Sequence, residues 1–219
     1  MPYIPAGRRR AVAILAAAVA AMALPAAASA APNPPPPPDW IAATLGTTTY
    51  VPPTCTDPTL TQPFQSFGDQ NYYVLAPGES PSNFAGDGWT LLAGANITTS
   101  TLSDGTTGSV LDLPGGSMAI SPPMCVASNY PTARTMVRNV QGGGGVHVFV
   151  TYAGTSTWSK AKDGGSCHGK GNAWGLSDNV KLSPANTDGW QIVRFALVPD
   201  NGNNDHQAYN FYVDPYAKR

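Results

Sequence analysis

Three cysteines, three histidines, one glutamate and twelve aspartates are the side chains of this 219-residue chain that could carry acid, base, nucleophilic or metal chemistry. Cys167-His168 raises the question of a thiolate nucleophile or a metal ligand. Neighbours in an extended chain point to opposite sides, and catalytic dyads are assembled from distant segments. The pair is therefore read as an exposed loop thiol, able to dimerise, beside an unrelated ring. No other Cys or His stands at metal-ligand spacing. His147 falls on a strand-like run and His206 in a polar stretch, and no G-x-S-x-G motif is present. Gly142 to Gly145 lacks the Lys-Ser/Thr that completes a phosphate loop and reads as a flexible hairpin connection. Glycoside hydrolysis needs two carboxylates across a sugar. Glu79 sits in a turn-like Pro-Gly-Glu-Ser segment, which leaves an aspartate pair drawn from Asp69, Asp112 and Asp214. No catalytic residue is expected, and no cofactor beyond a structural Ca²⁺, for which Asp69, Asn71 and Asp214 are the candidate ligands. Asp-x-Asn is also an ordinary turn sequence.

The aromatic residues give a better lead. A sugar ring presents an apolar face that stacks on an indole or phenol, and side-chain amides take its hydroxyls. Trp158 and Trp174 flank the polar insertion Ser159 to Ala173, and Asn172 and Asn179 lie close by in sequence. These four are the candidate ligand-binding residues, with Trp174 equally readable as a plug against a sheet. Trp89, Trp190 and Phe195 lie within strand-like runs and are expected in the core, whereas Tyr50, Tyr209 and Tyr216 are expected near element ends. Arg134 and Arg138 are four apart on one strand, so they share a face, where pairing with Asp69 or Asp214 would make them structural.

The elements that must position these residues are strands. Val146, Val148, Val150 and Tyr152 alternate with His147, Phe149 and Thr151, the period of a strand covered on both faces. Similar runs cover 72–75, 89–92, 109–113, 118–121, 135–140, 180–182, 190–197 and 208–213. Turn chemistry separates them, including Pro77-Gly78, Asp87-Gly88, Asp104-Gly105, Pro114-Gly115 and Asn201-Gly202. Many short strands with almost no helical periodicity predict an all-β fold, an antiparallel two-sheet sandwich of jelly-roll type. The one helical turn expected is near Asp39 to Leu45.

Arg8, Arg9 and Arg10, an apolar run from Ala11 to Leu24 and Ala28-Ser29-Ala30 make a signal peptide over residues 1–30. A proline-rich spacer over 31–39 follows, stiff in the polyproline II conformation, and then a single β-sandwich domain over 40–219. The protein is expected to be secreted, extracellular or associated with the cell surface. Without those three arginines the chain carries nine basic against thirteen acidic residues, with no basic patch. That argues against nucleic-acid partners, and no further apolar run is long enough for membrane insertion. Charged residues make up 11% of the chain, against an average of about a quarter. The polar surface therefore has to come from Ser, Thr, Asn, Gln and Gly.

Several spaced motifs resemble a family of uncharacterised secreted actinobacterial β-sandwich proteins. They are Cys55-x-x-Pro58-x-Leu60-x-Gln62-Pro63-Phe64, Phe67-Gly68-Asp69-x-Asn71-x-Tyr73, Leu75-x-Pro77-Gly78, Trp89-x-Leu91, Leu111-x-Leu113-Pro114, Ser121-Pro122-Pro123-Met124-Cys125-Val126, Tyr130-Pro131-Thr132-x-Arg134 and Tyr212-Val213-Asp214-Pro215-Tyr216. The resemblance implies a jelly-roll-like sandwich similar in shape to many carbohydrate-binding modules, and it attaches no activity. Phe67 stands where the family pattern has Trp, and Tyr209-Asn210 where it has two acidic residues, which weakens any cation site built there. Three cysteines allow three single bridges. Both Cys55 and Cys125 lie inside the resembling segments, which implies that they pair and that Cys167 is left over. The expected function is a secreted, non-catalytic binding module for glycan or cell-envelope material. The alternatives are a structural or protein-interaction domain of the cell surface and, after that, an extracellular hydrolase.

Overall fold

In the computed structural model, the described residues are 44, 53–127, 131–154, 158–159, 161–182, 189–200 and 203–216. The signal peptide, the proline spacer, Tyr50 and the Asn201-Gly202 turn lie outside them. Of the helical turn expected near Asp39 to Leu45 only Thr44 is among the described residues, and it is helical; the others form thirteen strands and one short 3₁₀ turn, Gln65–Phe67, with connecting turns and loops. The strands are β1 (Val74–Leu75), β2 (Thr90–Leu92), β3 (Asn96–Thr101), β4 (Thr107–Pro114), β5 (Met118–Ile120), β6 (Met124–Ala127), β7 (Thr132–Gln141), β8 (Gly145–Tyr152), β9 (Lys162–His168), β10 (Gly175–Leu176), β11 (Val180–Lys181), β12 (Trp190–Pro199) and β13 (Asp205–Asp214). Among the described residues no helix is long and apolar enough to cross a membrane.

The strands build two antiparallel sheets. One runs β10-β7-β13-β4-β3, with β1 also on β13 and β11 also on β7; the other runs β2-β5-β12-β8-β9, with β6 also on β12. The predicted alternation along β8 holds: Val146, Val148, Val150 and Tyr152 enter the core between the sheets, against Val193, Phe195 and Leu197 of β12 and Leu111, Leu113, Val137, Phe211 and Val213 of the larger sheet. The opposite faces carry clusters of their own. Met118, Ile120, Phe149, Ala196 and Val198 gather with Trp158 on the smaller sheet, and Val110, Met136, Tyr209 and Tyr212 gather with Phe64, Tyr73 and Leu102 on the larger one. Trp89 and Phe195 are buried as expected, whereas Trp190 is half-buried and stands edge-on to Tyr216. Tyr209, expected near an element end, is buried in the middle of β13. Cys55 and Cys125 form the disulfide and tie the segment before β1 to β6.

Cys167 corrects an expectation. The Gly-rich stretch around it is β9, paired with β8 so that Cys167 stands opposite Val146 and is fully buried in the core. The glycines are what admit this strand. A Cβ on Gly164 would fall 2.8 Å from Val180 Cγ1 and 3.1 Å from the Val148 carbonyl oxygen, so a larger residue could not lie between β8 and β11. Burial pushes the Cys167 thiol up to about 12. The folded protein should therefore leave Cys167 unmodified by an alkylating reagent at neutral pH and become fully labelled on unfolding; mass spectrometry before and after denaturant checks this.

Candidate functional site

Alternation along β3, β4, β13 and β7 sends one set of side chains to the outer face of the larger sheet, and register aligns four polar residues across it. Asn96 is opposite Asp112, Asp112 is opposite Gln207, and Gln207 is opposite Arg138. Asn96 Nδ2 donates to Asp112 Oδ2 at 3.2 Å and Gln207 Nε2 to Asp112 Oδ1 at 2.8 Å. Arg138 Nε and Nη2 donate to Gln207 Oε1 at 3.1 and 2.7 Å, and Nη2 also reaches Ser100 Oγ at 2.8 Å. The result is a stripe of acid, amide and guanidinium groups whose orientations are fixed before any ligand arrives.

Trp174 borders this stripe. Its indole lies 4.8 Å beneath the Arg138 guanidinium, stands edge-on to Tyr209 at 4.7 Å, and donates through Nε1 to the Thr101 carbonyl at 2.7 Å. The loop that delivers it lies directly against β7: Asn139 N–H donates to the Gly171 carbonyl at 2.8 Å, and a Cβ on Gly169 would meet the Arg138 Cα at 3.0 Å. Trp174 is half-buried, and Asn172 and Asn179 are exposed. Trp158 takes a different place, 9% exposed in the cluster on the outer face of the smaller sheet, with the Arg194 guanidinium 5.5 Å from its ring. The two tryptophans thus stand on different sheets, and Trp174 is the one beside a polar stripe.

The carboxylates considered for catalysis or calcium are dispersed. Asp69 Oδ2 accepts from Tyr73 Oη at 2.7 Å and from Arg134 Nη1 at 2.6 Å, and Oδ1 accepts from Asn71 N–H at 2.9 Å. Burial raises the Asp69 pKa, but the hydrogen bonds from Asn71, Tyr73 and Arg134 outweigh it and the net shift is downward. Asp214 Oδ1 accepts from Tyr216 N–H at 3.0 Å, and Asp112 belongs to the stripe, level with Gln207 rather than with Asp214 on β13. Among the described residues no group of three or more His, Cys, Asp or Glu side chains is placed to hold a metal ion. The expected pairing of Arg134 with Asp69 is present, while Arg138 turns instead to Gln207 and Trp174. Arg134→Ala should cost about 2 kcal/mol, because it strips charged hydrogen bonds from a buried carboxylate; urea unfolding measures it.

A second polar cluster surrounds His147, whose Nε2 lies 2.6 Å from Asp200 Oδ1 and whose Nδ1 lies 3.1 Å from Asp163 Oδ2. Ser166 Oγ donates to Asp200 Oδ1 at 3.2 Å, so the serine is directed to a carboxylate and not to the imidazole that would activate it. The stripe residues Asn96, Asp112 and Gln207 were not predicted as ligand-binding. Asp112 between two core leucines showed an outward polar position, but only the strand order brings it beside Gln207, which is 95 residues away in sequence.

No protein-family model matches the chain, and no curated protein matches it in sequence. Among solved structures it is similar to a family 16 carbohydrate-binding module, with 15% identity over 58% of this chain and 91% of that one and a TM-score of 0.35. It is also similar to a family 11 carbohydrate-binding module of Clostridium thermocellum, seen in complex with a mixed-linked tetrasaccharide, with 11% identity over 67% and 96% and a TM-score of 0.36. The enzymatically active domain of bacteriophage CBA120 tailspike protein 4 is 11% identical over 57% of this chain, with a TM-score of 0.35, and this chain spans 19% of it. Likeness at this level carries neither ligand nor role over to this chain.

Proposed function

We propose that this protein is a secreted, non-catalytic binding module for glycan or cell-envelope polysaccharide, with its site on the outer face of the larger sheet. The observation that carries the reading is the hydrogen-bonded stripe Asn96–Asp112–Gln207–Arg138 lying against Trp174. Pyranose recognition combines planar polar groups, which take vicinal hydroxyls in pairs, with an aromatic ring for the apolar face of the sugar. Both are held here at fixed spacing. Asn172, on the loop that ends at Trp174, adds an exposed amide; Trp158 on the other sheet and Asn179 after β10 are not needed. The disulfide supports an extracellular location, as does the signal sequence, and both accord with the secreted family that the motifs resemble.

The reading is tested by passing the protein over an array of polysaccharides and cell-wall fractions. At least one glycan should retain the wild type and fail to retain an Arg138→Ala, Trp174→Ala double variant that is still folded by near-UV circular dichroism. An array that retains nothing would refute the reading and favour a structural or protein-interaction role.

A further inference from the structure

The loop that precedes β1 is built as a rigid presenter. Thr61 and Tyr73 close it with reciprocal backbone hydrogen bonds of 2.9 and 2.8 Å, and the 3₁₀ turn inside ends on Gly68 at φ 82°. Its buried side chains fasten it to the outer face of the larger sheet. Phe64 is 1% exposed and stands edge-on to Tyr73 and Tyr212, while Asp69 is bonded to Arg134 of β7. Gln62 Nε2 donates to the Gln70 carbonyl at 2.6 Å and Gln65 Nε2 to Gln70 Oε1 at 3.3 Å. From this braced loop Phe67 and Tyr72 project outward, 49% and 53% exposed. Single exposed hydrophobic residues are ordinary, but two aromatic rings on one preordered loop are not explained by the packing of the domain.

The neighbours of these rings define the ligand chemistry. In sequence the rings are flanked by the exposed amides of Gln65, Gln70 and Asn71, and Asp69, the charged side chain of the segment, is buried in its ion pair. Exposed aromatics on a segment whose other exposed side chains include three amides and no charge suit a neutral polyhydroxylated ring. Arg134, which anchors the loop, and Arg138, which stacks on Trp174, lie on the same face of β7 four residues apart, about 13 Å at roughly 3.3 Å per residue. The anchors of the two aromatic groups thus lie farther apart along β7 than one pyranose ring spans.

We infer that Phe67 and Tyr72 form a second stacking subsite on the same outer face as Trp174, so that the ligand is a neutral polysaccharide chain bound along its length and not a terminal sugar. This rests on the glycan-binding reading and adds a chain-length requirement to it. Because the loop is already ordered, little conformational entropy is lost when it is engaged.

The experiment compares disaccharide with hexasaccharide in cello-, xylo-, manno- and chito-oligosaccharide series by isothermal titration of the full-length protein. In at least one series the wild type should bind the hexasaccharide about tenfold or more tighter than the disaccharide, the gain from two added ring contacts. The Phe67→Ala, Tyr72→Ala double variant should lose that gain and keep its disaccharide affinity. Since both side chains are exposed its melting temperature should not change, and Phe67→Trp should increase the hexasaccharide preference. A hexasaccharide preference that survives in the double variant, or its absence from the wild type while disaccharides bind, overturns the inference and leaves the glycan reading standing. If neither length binds in any series, the inference falls, and the glycan reading falls with it when the array also retains nothing.

Discussion

Replacing Glu79 by Gln should abolish most of the loss of stability that the wild type undergoes between pH 4.5 and pH 8. The Glu79 carboxyl is enclosed where β1 and the segment after it run along β13, beside the left-handed Asn210 (φ 57°), and Oε2 accepts from Phe211 N–H at 3.2 Å. Burial raises its pKa from 4.5 to about 8, although the Phe211 and Asn210 backbone amides pull it down. The folded state therefore holds a proton that the unfolded state releases above pH 4.5, and folding stability falls as pH rises until the folded group ionises near pH 8. At about 1.36 kcal/mol per unit, the difference amounts to roughly 3–5 kcal/mol. Gln keeps the acceptor for Phe211 and does not ionise, so the variant should gain most of that amount at pH 9. His206, fully buried and with its pKa lowered by burial, acts in the opposite sense: the unfolded state protonates first, and stability falls as pH drops below its usual value near 6.5. Urea unfolding at pH 5, 7 and 9 checks both slopes. A Glu79→Gln profile parallel to the wild type would show that the carboxyl is solvated.

Reduction of the Cys55–Cys125 bond should lower stability by about 4 kcal/mol, the loop-closure entropy of a cross-link spanning 70 residues. The bond fixes the segment before β1 to β6, and that segment also carries Asp57, which accepts from Tyr216 Oη at 2.7 Å just past β13. Loss of the bond frees the entry to the presenting loop as well as enlarging the unfolded ensemble. The Cys55→Ser, Cys125→Ser variant, compared with the wild type in urea without reductant, measures the effect; a change below about 1 kcal/mol would mean that the unfolded chain is already held compact.

The two-sheet architecture was legible because β8 alternates along its length, because short apolar runs such as the one in β12 recur, and because glycine and proline mark the turns. The strand at β9 was not. Its sequence, Lys-Asp-Gly-Gly-Ser-Cys-His, has the composition of a loop, and only the close approach of β8 and β11 makes glycine the residue that fits there. Cys167 was misplaced for the same reason. The disulfide could be read through the family motifs, since spacing alone allowed three pairings. Trp158 and Trp174 were candidates together because their surroundings in sequence are similarly polar, and what separates them in the structure is which sheet each covers. The stripe depends on β13 lying between β4 and β7, a non-local order that periodicity does not encode. Phe67 drew notice only as a departure from a motif, and Tyr72 as part of a strand-like run. Their exposure follows from the burial of Phe64 and Tyr73 beside them, which turns the remaining aromatics outward.

If glycan is held on the outer face of the larger sheet, Trp174 and the stripe beside it should carry the affinity. The most direct test is titration of the strongest array ligand into the wild type and into Trp174→Ala, with melting temperatures recorded for both. Loss of at least about tenfold in affinity from a variant that remains folded is the predicted result. Unchanged affinity in Trp174→Ala would place the ligand elsewhere on the molecule and rule out the outer face of the larger sheet as the site.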